Sequence, residues 1–534
     1  RYAGCNNTAG NANIVLGYGV QTGAVDSMAT LEIGCGTNRW LKGDGSYHIQ
    51  PGAGIRDTAG NLGSAGQYLC TTGSGVAWAA VSGGGFSPDD DKNLLAGDDA
   101  GEDLDGSNGC FNVLIGQCAG KEMTSGEDNI ALGRQAMGGG IVTGDHNIAI
   151  GQETAEALTS GLANISLGHQ AHELGVLSGE YNIGMGYQAG RKMTSGSNNI
   201  AIGKQANGNG VLTGLNNFFG GYLSGNKATS GGGNVAIGRW SVTCMTTGSH
   251  NVAIGDMVMG GAIVTGGCNV AIGMCAGCAV TSANRNILMG VNAGSKITTG
   301  EQNVMIGTNI THDVSGGEFT GTRNTFVGMC AGNGTCTGTV SDSTYVGAYA
   351  GQQASGSYSV FVGHKAGQSF NCGKCNLAIG IEALKGESSA STGCCNIAIG
   401  KGAGLGVKSG SDNILIGTYA GRCNMTGSKN ISIGIAAGRG SHSSGTGNTG
   451  GYNLFFGRYT GYEATVACYN ISIGDLTNRE GTAVCCNITI GNCASRYNTT
   501  GAKNVVIGLD AGCGSSGATV TAENVMVGYQ AGKS

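Results

Sequence analysis

Asn199-Ile-Ala-Ile-Gly203, Asn251-Val-Ala-Ile-Gly255, Asn396-Ile-Ala-Ile-Gly400 and Asn430-Ile-Ser-Ile-Gly434 are copies of one string, Asn-Φ-x-Φ-Gly with Φ apolar. Between residues 129 and 307 the closing glycines read 133, 151, 168, 186, 203, 220, 238, 255, 273, 290 and 307, in steps of 17 or 18. Beyond Gly307 the step varies from 16 to 23, the longest spanning a Gly/Ser-rich insertion at 439–453. The array holds 25 copies from Gly97 to Gly528, and two further copies close at Gly17 and Gly34. A period this regular marks a repeat architecture in which each unit stacks on its neighbours.

Working outward from the string, each position has a physical reading. Asn-Φ-x-Φ alternates, so both Φ side chains share one face of a short strand. Glycine at the close permits a bend at positive φ. Stacked coils place the asparagines in a ladder about 4.8 Å apart. The expected ladder is Asn129, Asn147, Asn164, Asn182, Asn199, Asn216, Asn234, Asn251, Asn269, Asn286 and Asn303, with Ser343 and Ser359 substituting further on. A second apolar position precedes a Thr/Ser-Gly turn, as in Met123-Thr-Ser-Gly126 and Ile297-Thr-Thr-Gly300. Each coil thus has two short strands and two turns.

Composition agrees. Of 534 residues 106 are Gly and 2 are Pro, with 40% hydrophobic and 11% charged. That apolar content excludes a disordered chain, and collagen needs Gly at every third position. Pro51 and Pro88 both precede the array, as they must if interior strands need every N–H. The fold class expected is all-β, a β-solenoid or β-roll of 17–18-residue coils. Residues 1–35 read as partial β-roll coils, 36–92 as an irregular linker or insertion, and 93–534 as the array.

Few large side chains per coil are available for burial, and Ala occupies the x-x-Ala site after the closing Gly in 18 of the 25 copies. At ~1–2 kcal/mol of backbone entropy per residue, one isolated column is thinly stabilised. The expectation is a parallel homotrimeric fibre sharing a central core, the alternative being a better-packed single solenoid.

The motif Asn-Φ-Ala-Ile-Gly-x-x-Ala resembles the β-roll heads of trimeric autotransporter adhesins and related repeats of phage tail fibres. Gly36-Thr-Asn-Arg-Trp-Leu-Lys-Gly-Asp44 and Gly66-Gln-Tyr-Leu-Cys-Thr-Thr-Gly-Ser-Gly-Val-Ala-Trp78 are similar to linkers in repetitive fibre proteins, of cyanobacterial phages especially. The heads use shorter coils, so the extra residues here enlarge a turn. The resemblance covers nearly the whole chain. It implies trimeric, extracellular attachment fibres on a virion or a cell surface, and it brings no catalytic residues.

Chemical motifs are sparse. Cys275-x-x-Cys278 and Cys372-x-x-Cys375 lack the second pair of a zinc site. The stretch Asp89–Asp105 lacks a calcium-loop spacing and reads as a solvated acidic cap. His169-x-x-His172 reads as surface decoration, and no nucleophile has a base beside it. Catalytic residues, cofactors and metals are therefore expected to be absent, and the protein is not expected to be an enzyme. A net charge of −5 gives no basic field for nucleic acid, and no apolar run reaches the roughly 20 residues of a membrane helix. Cys468 and Cys485, each two residues before the ladder Asn of adjacent coils, form a candidate disulfide. Of nine Asn-x-Ser/Thr strings, several, Asn164-Ile-Ser166 and Asn470-Ile-Ser472 among them, arise from the ladder itself.

The function expected is structural, a fibre shaft that presents or forms an attachment surface, whose partners are further copies of itself. The alternatives are an adhesin that binds cell-surface glycan, sought first in the broken coils at Gly307–Gly328 and Gly434–Gly457, and an ice-binding Thr ladder. Arg1-Tyr-Ala-Gly4 matches the residues that succeed a closing Gly elsewhere, so the chain is expected to be a window from a longer fibre.

Overall fold

The computed structural model describes residues 88–534 except 107, 314–316, 335–338, 387–390, 441–446, 516–520 and 534, together with the backbone of six strands nearer the N-terminus. The chain divides into two units, Arg1–Asp89 and Asp90–Ser534.

In the first unit β1 (Ile14–Leu16) and β2 (Leu31–Cys35) pair in parallel, with Ile14 opposite Leu31. Strands β3 (Asn38–Gly43) and β4 (Ile49–Pro51) extend that sheet antiparallel, and β5 (Gln67–Thr71) pairs antiparallel with β6 (Val76–Ala80). The segment expected to be irregular therefore contains hairpin strands.

The second unit is a parallel β-solenoid. Its 25 three-residue strands run from β7 (Leu94–Ala96) to β31 (Val525–Val527), each hydrogen-bonded in register to the strands before and after it in sequence. The pairings form an open ladder, with Ile148 opposite Ile165 and Ala149 opposite Ser166. At about 4.8 Å per step the ladder is about 115 Å long. The second apolar position forms isolated parallel bridges in some coils only, such as Met123 with Val142 and Met193 with Leu212, so it is a weaker element than the first.

Closing glycines hold the coil shape for two separate reasons. Gly203 sits at φ +125°, a region L-residues rarely enter, and a Cβ there would lie 2.7 Å from the carbonyl oxygen of Gly221 in the next coil. The glycines thus stack backbone on backbone along the unit.

The burial of each strand shows which face points inward. Both Φ residues do share a face, but it is the outer one. The central x residue is buried instead, as at Leu114, Ala131, Ala149, Ala201 and Phe219. Asparagine fixes this phase. With a period of two, Asn and x must share a face, and the ladder Asn is inside. The interior is completed by the Ala of x-x-Ala, such as Ala136 and Ala189, and by the residue before the Thr-Gly turn, such as Met123, Leu158 and Leu212.

Where x is large, glycine makes room. Phe326, Tyr345 and Phe361 occupy x in three consecutive coils, their rings stacked at 4.6 and 4.9 Å and tilted by only 4° and 11°. Gly332, Gly351 and Gly367 lie against these rings, where a Cβ would collide at 2.7, 2.4 and 2.4 Å. His172 is a second such insertion, contrary to its reading as surface decoration. It is fully buried, its ring fills space left by Gly184 and Gly190, and its Nδ1 lies 2.7 Å from Ser166 Oγ.

Candidate interaction surface

The asparagine ladder is the frame on which every exposed side chain is set. Asn147 shows its pattern. Its backbone N–H donates to Asn129 Oδ1 at 2.8 Å, and its Nδ2 crosses the coil to donate to Gly161 O at 2.8 Å. Its own Oδ1 accepts both the backbone N–H and the Nδ2 of Asn164, at 2.8 and 3.1 Å. Asn129, Asn164, Asn182, Asn199, Asn234, Asn251, Asn269, Asn286 and Asn303 occupy the same file, all 1% exposed or less. One expected member is displaced by a residue: Asn217, not Asn216, takes the position. Asn217 is buried, donates its N–H to Asn199 Oδ1 at 2.9 Å and accepts that of Asn234 at 3.0 Å. The strand there is Phe218–Gly220 and the positive-φ closing residue is Gly221, while Asn216 lies exposed outside the ladder.

Because the ladder asparagines are buried, the glycosylation strings at Asn164 and Asn470 have no acceptor at the surface. The Thr file is likewise committed, since Thr229, Thr281 and Thr465 donate their hydroxyls to carbonyls of the next coil at 2.9, 3.0 and 2.8 Å. Free hydroxyls in a regular plane, which an ice-binding face needs, are not what this file offers.

The outer face of the strands carries two parallel files of Φ side chains. Ile202, Ile237 and Ile254 are 36–39% exposed although they sit in the most regular part of the ladder. Ile150, Met185, Ile287, Met289, Ile306, Ile379, Ile431 and Ile471 are exposed to a similar degree. Apolar patches on monomers span roughly 300–600 Å². A two-residue stripe some 115 Å long exceeds that.

Charged side chains on other files pair along the ladder. Arg239 with Asp256, Arg323 with Asp342 and Arg458 with Asp475 are bidentate pairs between neighbouring coils, and each arginine holds its partner carboxyl below the usual carboxylate range. In the acidic stretch, Lys121 reaches both Asp99 and Glu102, at 3.1 and 3.0 Å. Among the described residues no three His, Cys, Asp or Glu side chains gather as a metal site, and no helix is long and apolar enough to cross a membrane.

Cys468 and Cys485 are opposed in a parallel bridge between adjacent coils, both as thiols. Their mutual hydrogen bond, with burial, pushes the Cys468 thiol up to about 11. Of the broken coils, residues 314–316 and 441–446 lie outside the described residues. Beside the second of them, Tyr452 and Tyr469 stack at 4.8 Å, with the Lys429 ammonium 2.9 Å from the Tyr452 hydroxyl. No protein-family model matches this chain, and no curated protein matches it significantly.

Proposed function

We propose that this chain is a shaft segment of an extracellular fibre, tail-fibre-like, on a virion or cell-surface appendage. Parallel copies bury their Φ files against one another around a common axis, and the shaft presents or forms an attachment surface. The observation that carries the reading is the exposed Φ stripe. Bulky apolar residues fill the Φ positions of most coils on a face that is substantially exposed in one chain, and a core shared between copies accounts for them. Three is the number of copies implied by the resemblance to trimeric adhesin heads. Cyclic symmetry along the fibre lets each copy meet the others in register, coil against coil.

Light scattering tests this directly. The expected mass is three times the 53.1 kDa of one chain. A double substitution on the stripe, Ile237→Glu with Ile254→Glu, is expected to lower that mass while the strand signal in circular dichroism persists. A wild-type protein that runs as a single chain at micromolar concentration overturns the proposal.

A further inference from the structure

Just past the bend that ends each Φ strand, the first residue after the closing glycine forms a file of its own. In five consecutive coils it reads His169, Tyr187, Lys204, Tyr222 and Arg239, all exposed. Over these coils the step never departs from 17 or 18 residues, so the side chains are spaced by one strand and the file spans about 19 Å. The groups touch in sequence. The rings of His169 and Tyr187 lie 5.5 Å apart, and the Lys204 ammonium sits 5.7 Å from the Tyr187 ring and 5.8 Å from that of Tyr222. Tyr222 then meets Trp240 at 6.2 Å, and the Arg239 guanidinium covers the Trp240 ring at 4.4 Å.

Beside this track runs a ladder of amides. Gln205 donates to Gln188, and Gln188 to Gln170, each at 2.8 Å. The charges are unevenly satisfied. Arg239 is held by Asp256 at one end, and His169 faces Glu153 at 3.7 Å at the other. Between them, no carboxylate among the described residues pairs with Lys204.

We propose that this track binds an extended acidic polysaccharide. Exposed aromatic faces spaced one coil apart suit the C–H faces of sugar rings, while the amide ladder beside them, its Gln188 buried and its Gln170 donating to Glu153 and Glu173, holds the track in place. The ammonium between two tyrosines suits a carboxylate on the sugar. A polymer is favoured over a small ligand because the track is linear and runs across five coils. A glycan is favoured over single-stranded nucleic acid because the track's described residues offer one cation without a carboxylate, too few to follow a phosphate backbone. The site belongs to a single chain and does not rest on the assembly proposed above.

The test is affinity electrophoresis of the full chain through gels containing polygalacturonate, with neutral dextran and a single-stranded oligodeoxynucleotide as the other arms. Retardation is expected in polygalacturonate alone. The surface substitutions Tyr187→Ala with Tyr222→Ala should weaken it about tenfold, and Lys204→Gln should weaken it while adding salt no longer does so. Unchanged melting of these variants and an unchanged mass by light scattering show that neither the fold nor the assembly accounts for the loss. Absence of retardation in polygalacturonate, equal retardation in dextran, retention by the oligonucleotide, or indifference to the tyrosine pair overturns the proposal.

Discussion

Replacing Asn269 by leucine removes a side chain with two distinct duties. Its Oδ1 accepts the backbone N–H of Asn286 at 3.1 Å, and its Nδ2 donates to the carbonyl of Ala283 at 2.8 Å. Leucine leaves both backbone groups buried and unpaired. At about 1–3 kcal/mol per orphaned group, the expected cost is about 2–6 kcal/mol. Serine separates the duties. Ser359 occupies the same position naturally, and its Oγ accepts the N–H of Asn376 at 3.3 Å but cannot cross the coil. Asn269→Ser should therefore orphan the Ala283 carbonyl alone and cost about 1–3 kcal/mol. Global melting is a blunt readout, since long repeat arrays do not unfold as one unit. Amide hydrogen exchange at Asn286 is the direct assay. It should accelerate on the order of a hundredfold or more in the leucine variant and much less in the serine variant. Wild-type protection at Asn286 in the leucine variant, or equal losses in the two, would refute the ladder as described.

His172 is held neutral by burial, its pKa lowered from 6.5 to about 4. Unfolding therefore takes up a proton as the pH falls below 6.5, and the stability contributed by the neutral ring is lost down to about 4. Urea denaturation of this region should show a loss of about 2 kcal/mol between pH 7 and 5, and His172→Gly should remove that dependence. Tyr345→Ala opens a hole between Phe326 and Phe361 and should cost about 3–5 kcal/mol by local exchange. Tyr345→Phe should cost less than about 1 kcal/mol, because the hydroxyl lies 3.4 Å from its acceptor Gly356 O. Gly203→Ala should destabilise its coil by at least about 1–3 kcal/mol through backbone strain alone, a loss that proteolysis of the opened coil would reveal. Under mild oxidant Cys468 and Cys485 should become resistant to alkylation together, and substitution of either should leave the other reactive.

Period, strand positions, closing glycines and ladder are legible because they recur at nearly fixed spacing. The phase of the strand is not. Ile-Ala-Ile between polar residues looks like a core strand with its two large side chains inward, and only the burial of Asn reverses that reading. The displaced ladder member has a local cause. Asn216-Asn217-Phe218-Phe219-Gly220-Gly221 doubles every landmark, so a one-residue shift leaves the motif intact. His172 escapes sequence reading because it stands where most coils carry the Gly of Ala-Gly. The compensating glycine inside the strand, Gly184, lies in the next coil and signals nothing by itself. The aromatic track is hidden for a similar reason: its members are 17 or 18 residues apart in sequence and become neighbours only when coils stack.

Every strand of the solenoid pairs with strands one coil away in sequence, and this bears on how such a molecule is made. Parallel sheets ordinarily fold slowly because distant segments must find one another before any contact rewards the search. Here the search distance is a single turn of the winding, and it does not grow with chain length. Each finished coil offers the next an edge with its Asn Oδ1 already waiting for an N–H, as Asn129 does for Asn147. Elongation is then a templated addition, much like a zipper closing behind the ribosome. The time to completion should grow only in proportion to the number of coils.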